Sequence, residues 1–184
     1  GFIELARSLA RTRPHPLDTT AEGNFGMSFP NGCHVAEVEI DPETGAATIE
    51  RYTAVDDLGH VVSPVLVEGQ VHGGVAQGAG QVFGEHAVYD TDSAQFLTGS
   101  FMDYAMPRAG WLRAMDVHDH PVPTPTNALG AKGVGESGCS GSLPALVNAA
   151  MDALAPLGIR HLDMPLTPAR VWKAIHAARA RDEG

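Results

Sequence analysis

Cysteine is almost absent from this sequence. Cys33 and Cys139 are the only two in 184 residues, too few for a disulfide framework or a Cys-rich zinc site, and both are expected as small core or loop residues. Positive charge is also scarce: 12 Lys+Arg stand against 22 Asp+Glu, a formal net charge of -10. Such a balance repels a phosphate backbone and argues against a nucleic-acid partner. No run approaches the ~18 consecutive apolar residues of a spanning helix, and Gly1-Phe2-Ile3-Glu4-Leu5 lacks the basic segment and apolar core of a signal peptide. A cytoplasmic protein with no membrane span is expected. At 43% hydrophobic, the chain can build one ordinary core.

Glycine, by contrast, is plentiful, with 21 residues and two concentrations. The first is Ala131-Lys132-Gly133-Val134-Gly135-Glu136-Ser137-Gly138. Ordering glycines costs conformational entropy, so a tight cluster marks unusual dihedrals or a ligand pressed against the backbone. The single carboxylate inside it, Glu136, reads equally well as a solvated loop residue or as a group aimed at that ligand.

The second concentration lies in a helix predicted from Val65 to about Gly84, opened by Ser63-Pro64 as N-cap and first-turn proline. Val67, Val71, Val75 and Val82 form its core stripe, and Gln70, Gly74, Gln77 and Gln81 form another about 100° around the axis. Gly69, Gly73, Gly74, Gly78 and Gly80 each cost about 1 kcal/mol relative to alanine in an exposed helix. Packing against another helix through small residues would account for the glycines; it would not ask for the glutamines.

The rest of the chain predicts a single α+β domain with an antiparallel or mixed sheet and packed helices. Residues 1–23 read as a short helix (Phe2, Leu5, Ala6, Leu9) and a linker through Pro14, Pro16, Asp18 and Thr19, the tail of a preceding domain. Alternation from Cys33 and again from Ala47 to Val55, around the turn Asp41–Gly45, predicts two antiparallel strands; Asp56-Asp57-Leu58-Gly59 closes the second. Further strands are expected at Glu85–Tyr89, Phe96–Thr98 and Trp111–Val117. Pro121, Pro123 and Pro125 require a loop. Ser142 and Pro144 are expected to open a helix with Leu146, Ala150 and Leu154 inward. Thr167-Pro168 opens the last, with Val171, Ile175 and Ala178 inward and Arg179 and Arg181 near its negative end.

Three motif readings fail. Gly133, Gly135 and Gly138 match the dinucleotide spacing, but a proline-rich loop precedes them and the helix is expected only at about Leu143. A serine-hydrolase elbow around Ser137 would need glycine where Cys139 stands. His118-Asp119-His120 and Cys33-His34 lack the spacing of metal ligands.

Taken together, Val67-Glu68-Gly69-Gln70-Val71-His72-Gly73-Gly74-Val75-Ala76-Gln77-Gly78, Gly99-Ser100-Phe101-Met102-Asp103-Tyr104, Lys132 to Gly138, and the ending His161 to Pro168 with Val171-Trp172 resemble the C-terminal part of the large subunit of molybdenum hydroxylases, the xanthine dehydrogenase and aerobic carbon monoxide dehydrogenase family. The resemblance runs from about Asn24 to Ile175. It implies a molybdenum-cofactor-binding domain over 24–184, cut or encoded apart from a subunit several times longer, and inactive by itself. It places the active-site glutamate on Glu136, as general base in the oxidation of an electron-poor carbon with water-derived oxygen. Gln70 would lie beside the molybdenum centre, the Lys132, Gly133, Val134 and Gly135 backbone would line the cofactor, and Asp57 would approach the pterin.

The implied cofactor is molybdopterin, in its cytosine dinucleotide form, with iron-sulfur clusters and FAD on partner domains or subunits. The partners would be the remainder of the large subunit, the iron-sulfur and FAD subunits, and a small-molecule substrate; carbon monoxide, purines, aldehydes and N-heterocycles all stay open. Ser63, Ala128 and Cys139 depart from residues common in the family. A non-catalytic cofactor-binding or assembly module of the same fold is the alternative.

Overall fold

The computed structural model describes residues 1–12, 15, 18, 20–23 and 26–182. Among them the elements run α1 (Phe2–Ser8), β1 (Asn31–Ile40), β2 (Ala47–Asp57), α2 (Pro64–Phe83), β3 (Met115–Asp119), α3 (Ser137–Leu154) and α4 (Pro168–Asp182), with short 3-10 turns at Ala109–Trp111 and Ala155–Leu157. The linker expected through Pro14, Pro16 and Thr19 falls partly outside the described residues.

The sheet has the order β1-β2-β3. β1 and β2 are antiparallel, from Asn31 opposite Asp57 to Ile40 opposite Ala47, with a bulge between Glu37 and Val38. β3 lies parallel to β2, Tyr52 opposite Met115 and Asp56 opposite Asp119, so the sheet is mixed and α2 sits in the crossover that parallel strands require. The β1–β2 turn is held by Asp41, which accepts from Glu43 N at 2.9 Å and Thr44 Oγ1 at 2.6 Å. Gly45 turns there at φ +73°, and a Cβ on it would stand 2.1 Å from Pro168 O. Only glycine lets that turn meet the start of α4.

The three long helices, α2, α3 and α4, are each held by the stripe their sequence carries. Val71, Val75 and Val82 of α2, Leu146, Ala150 and Leu154 of α3, and Val171, Ile175 and Ala178 of α4 are buried, on a sheet face presenting Ile49, Tyr52 and Ala54. α1 has no buried residue; Phe2 and Ile3 are 78% and 68% exposed.

The structure corrects five expectations. α3 begins at Ser137, not near Ser142, and runs through Pro144. Its first turns lie on α2 with almost nothing between the backbones: a Cβ on Gly138 would be 2.5 Å from Val71 O, and one on Gly74 would be 2.7 Å from Cys139 N. This packing outweighs the glycines and the N–H that Pro144 lacks. Glu85–Tyr89 and Phe96–Thr98 pair through a single bridge, Tyr89 with Phe96, without forming strands. Trp111 belongs to a 3-10 turn, and the third strand starts only at Met115. Asp56 and Asp57 end β2 itself. The cysteines are not core: Cys33 is exposed on β1 and Cys139 half-buried. No helix among the described residues is long and apolar enough to cross a membrane.

Candidate functional site

The glycine-rich stretch is anchored before it is free. Lys132 N donates to Leu58 O at 2.8 Å, and Ala131 bridges Gly59. Asn127 closes the preceding turn by donating to Ala131 O at 2.9 Å and accepting from Ala131 N at 3.2 Å. Asp57 is the main clasp. Its Oδ1 accepts from Gly59 N at 3.0 Å and Val122 N at 2.9 Å, and its Oδ2 pairs with Lys132 Nζ at 2.5 Å. The Lys132 hydrogen bond, reinforced by the two backbone donors, holds the Asp57 carboxyl well below the usual carboxylate range. The Asp57 and Lys132 side chains are 13% and 9% exposed, respectively, and are spent on each other.

Beyond the clasp the chain opens onto a cleft of about 790 Å³. Its walls are the start of β1, Asp56 at the end of β2, and the run from Gly133 into the first turns of α3. Gly133 and Gly135 line it and are exposed, and a Cβ on either would meet nothing within 4 Å. Val134 between them turns away to pack on the core.

Glu136 is the N-cap residue of α3, with φ -113° and ψ -3°, and its side chain makes no capping bond. The carboxylate lines the cleft, exposed, with no hydrogen-bond partner among the described residues. Gln70 is exposed on α2 and is not part of this wall. The α2–α3 crossing nevertheless brings the two segments together: Gln70 precedes Val71, whose carbonyl meets Gly138, two residues after Glu136. The stripe of amides and glycines is thus divided in use, because Gly74 and Gly78 are buried against α3 while Gln70 and Gln77 are exposed. Asp57 and Lys132 stand behind the loop they hold; Gly133, Gly135 and Glu136 face the cleft, and Asp56 rather than Asp57 lines it.

Sequence reasoning missed a buried group on the same wall. His34 Nδ1 lies 2.7 Å from Tyr52 Oη, and its Nε2 lies 3.1 Å from Asp56 Oδ1. Burial, and then the nearby Asp56 charge, push the Tyr52 phenol well above its ordinary value. The available signal was a histidine at the inward position of the stripe His34, Ala36, Val38, Ile40, opposite Tyr52 and Asp56 four apart on the next strand. Among the described residues, no group of three or more His, Cys, Asp or Glu is placed to hold a metal ion.

With this geometry in view, the family model of the molybdopterin cofactor-binding domain matches residues 5–112, more than half of the chain. The chain belongs to that family. The matched span of this molybdopterin cofactor-binding domain contains Asp57 and Gln70 and stops short of Glu136. The carbon monoxide dehydrogenase large chain of Hydrogenophaga pseudoflava is 37% identical over 149 residues, covering 81% of this chain and 18% of that protein. The nicotine 6-hydroxylase large subunit of Paenarthrobacter nicotinovorans is 38% identical over 146 residues, covering 79% and 18%. Among solved structures, the reconstituted CO dehydrogenase from Oligotropha carboxidovorans superposes with a TM-score of 0.78 at 36% identity, over 83% of this chain and 19% of that one. The chain therefore spans about a fifth of the length of the relatives it matches.

The cleft fits one wall of a molybdopterin site. Gly133 and Gly135 leave their faces open to a group pressed against the backbone, and Ser137, Ser140 and Asn148 offer neutral hydroxyl and amide donors. No Lys or Arg is among the lining residues. An anionic group in the cleft would meet no cationic side chain among them.

Proposed function

We propose that this chain is the C-terminal part of the large subunit of a cytoplasmic molybdenum hydroxylase or dehydrogenase, in which it forms one wall of the cofactor site and contributes the general base. The observation that carries this reading is Glu136: a carboxylate at the mouth of a helix, on a cleft, with no partner among the described residues and open glycines beside it. The family relationship supports the cofactor class, and the dehydrogenase and hydroxylase activities for which the relatives are named support the oxidoreductase class.

When bound, the molybdenum cofactor would supply the redox chemistry that takes an electron pair from the substrate carbon. Glu136 would take the proton from a water-derived nucleophile as its oxygen adds to that carbon, which requires an ionised carboxylate within hydrogen-bond reach. The Gly133 and Gly135 backbone would lie against the cofactor. Gln70, with one acceptor and two donors and no charge, would hold polar ligands beside the metal without changing the charge of the site. Asp57 and Lys132 would act through their clasp, keeping the loop in register with the cleft. We assign the cofactor to the cytosine dinucleotide form, iron-sulfur clusters and FAD to partner subunits, and the choice of a small-molecule substrate to the rest of the large subunit.

The test is Glu136→Gln in the complete enzyme, with turnover expressed per bound molybdenum. Turnover should fall by about 10²- to 10⁴-fold with cofactor retained. Near-normal turnover would leave only the non-catalytic cofactor-binding or assembly module. The 184-residue chain alone should retain little molybdenum, because an open cleft without cationic residues is one wall only; a stoichiometric metal content by elemental analysis would contradict this.

A further inference from the structure

The inward face of β1 is apolar at Val38 and Ile40 and small at Ala36, yet it ends in a histidine at the cleft. His34 stands opposite Ala54 in the β1–β2 register, between Tyr52 and Asp56, which share a face of β2. Its Nδ1 is 2.7 Å from Tyr52 Oη and its Nε2 is 3.1 Å from Asp56 Oδ1. The imidazole and phenol rings meet edge-on, with centroids 5.6 Å apart and planes at 89°. The side chains of His34 and Asp56 are 5% and 4% exposed. With Tyr52 donating to Nδ1, the Nε2–H donates to Asp56, and both ring nitrogens are used. The ring has no freedom to turn.

Its other side meets α3. A Cβ on Gly141 would stand 2.3 Å from His34 Nδ1 and 2.4 Å from Cε1, so the helix lies directly on the ring five residues after Glu136. An apolar wedge would fill the same space more cheaply. The hydrogen-bonded one buries Asp56 Oδ2 with no partner among the described residues, a cost of stability that packing alone does not explain.

We infer that His34 is a positioning residue: locked by Tyr52 and Asp56, its ring fixes the first turns of α3 and thereby the place of the Glu136 carboxylate on the cleft. This rests on Glu136 being the general base. It asks for no contact between His34 and the reacting atoms.

The experiment uses the complete enzyme, with kcat per bound molybdenum and KM measured for each variant. His34→Ala should lower kcat roughly 10- to 100-fold through misplacement of the base, with KM changed less than about threefold. His34→Gln, whose amide can accept from Tyr52 and donate to Asp56, should recover kcat to within about threefold of the unaltered enzyme. Gly141→Ala should also lower kcat. Combining it with His34→Ala should restore part of that loss, because removing the ring makes room for the new methyl group.

Unaltered kcat in His34→Ala overturns the inference. So does a loss that disappears on normalising to molybdenum, or simple additivity of the two defects. If His34→Ala does not assemble, Tyr52→Phe removes only the Nδ1 partner; a lowered kcat at constant KM is expected, and an unaltered kcat overturns the inference. Glu136→Gln run in parallel separates the two levels. An inactive Glu136→Gln beside a fully active His34→Ala sinks the positioning role alone, whereas an active Glu136→Gln sinks both.

Discussion

Asp57 and Glu136 are both carboxylates of the same glycine-rich neighbourhood, and the structure treats them in opposite ways. Asp57 accepts from two backbone N–H groups and pairs with Lys132, so both of its oxygens are used. Glu136 has none of these partners and faces the cleft. A carboxylate already saturated by the protein can hold a loop but has little left to offer a substrate; one left bare at a cleft has the reverse character. The glycines divide in the same manner. Gly138 and Gly74 are filled in by each other's helix, and Gly133, Gly135 and Gly73 face open space.

The largest expected break in this comparison is chemical. Glu136→Gln should cost about 10²- to 10⁴-fold in turnover per molybdenum, the range of a general base, and leave the thermal midpoint of the chain unmoved. Next comes Gly138→Ala, whose methyl group would press on Val71 O at 2.5 Å. It should destabilise the chain by about 1–3 kcal/mol in urea unfolding. Gly135→Ala should not, although it should lower the molybdenum content of the complete enzyme.

Asp57→Asn should show its effect through pH. The folded carboxyl titrates below its unfolded value of about 3.9, so its stabilisation is complete above that value and is lost progressively as pH falls from there through the lower folded value. The stability difference between the unaltered chain and Asp57→Asn should be flat from about pH 5 to 8 and shrink below about pH 4. A difference that grows on acidification would break the assignment of Asp57 as a clasp. The smallest effect is Gly73→Ala, expected to raise stability by at most about 1 kcal/mol, since its Cβ meets nothing within 4 Å on an exposed helical face.

Much of the fold was legible because local pattern and tertiary packing agree. The alternation of β2, the valines Val71, Val75 and Val82 of α2 and the Val171, Ile175, Ala178 stripe of α4 became buried faces, and the inward residues of β1 became half-buried against the same core. α3 was misread at its start because the signal there is tertiary: Gly138 and Gly141 look like loop residues until Val71 and His34 are known to lie against them. Glu85 to Thr98 has alternating residues but no neighbouring strand beyond one bridge. Of the candidate site, Glu136 and its glycines were visible as composition, whereas the partner of Asp57, seventy-five residues away at Lys132, carries no mark in the sequence. His34 was visible and set aside with the other histidines, although its inward position on an apolar stripe was the clue.

The most direct test sets the two carboxylates side by side in the assembled enzyme. Rapid mixing with excess substrate, at matched molybdenum content, measures the rate at which the enzyme is reduced in Glu136→Gln and in Asp57→Asn. The expected rate is lowered by about 10²-fold or more in Glu136→Gln and by less than about tenfold in Asp57→Asn. A Glu136→Gln enzyme reduced as fast as the unaltered one, with Asp57→Asn the slower of the pair, would contradict it.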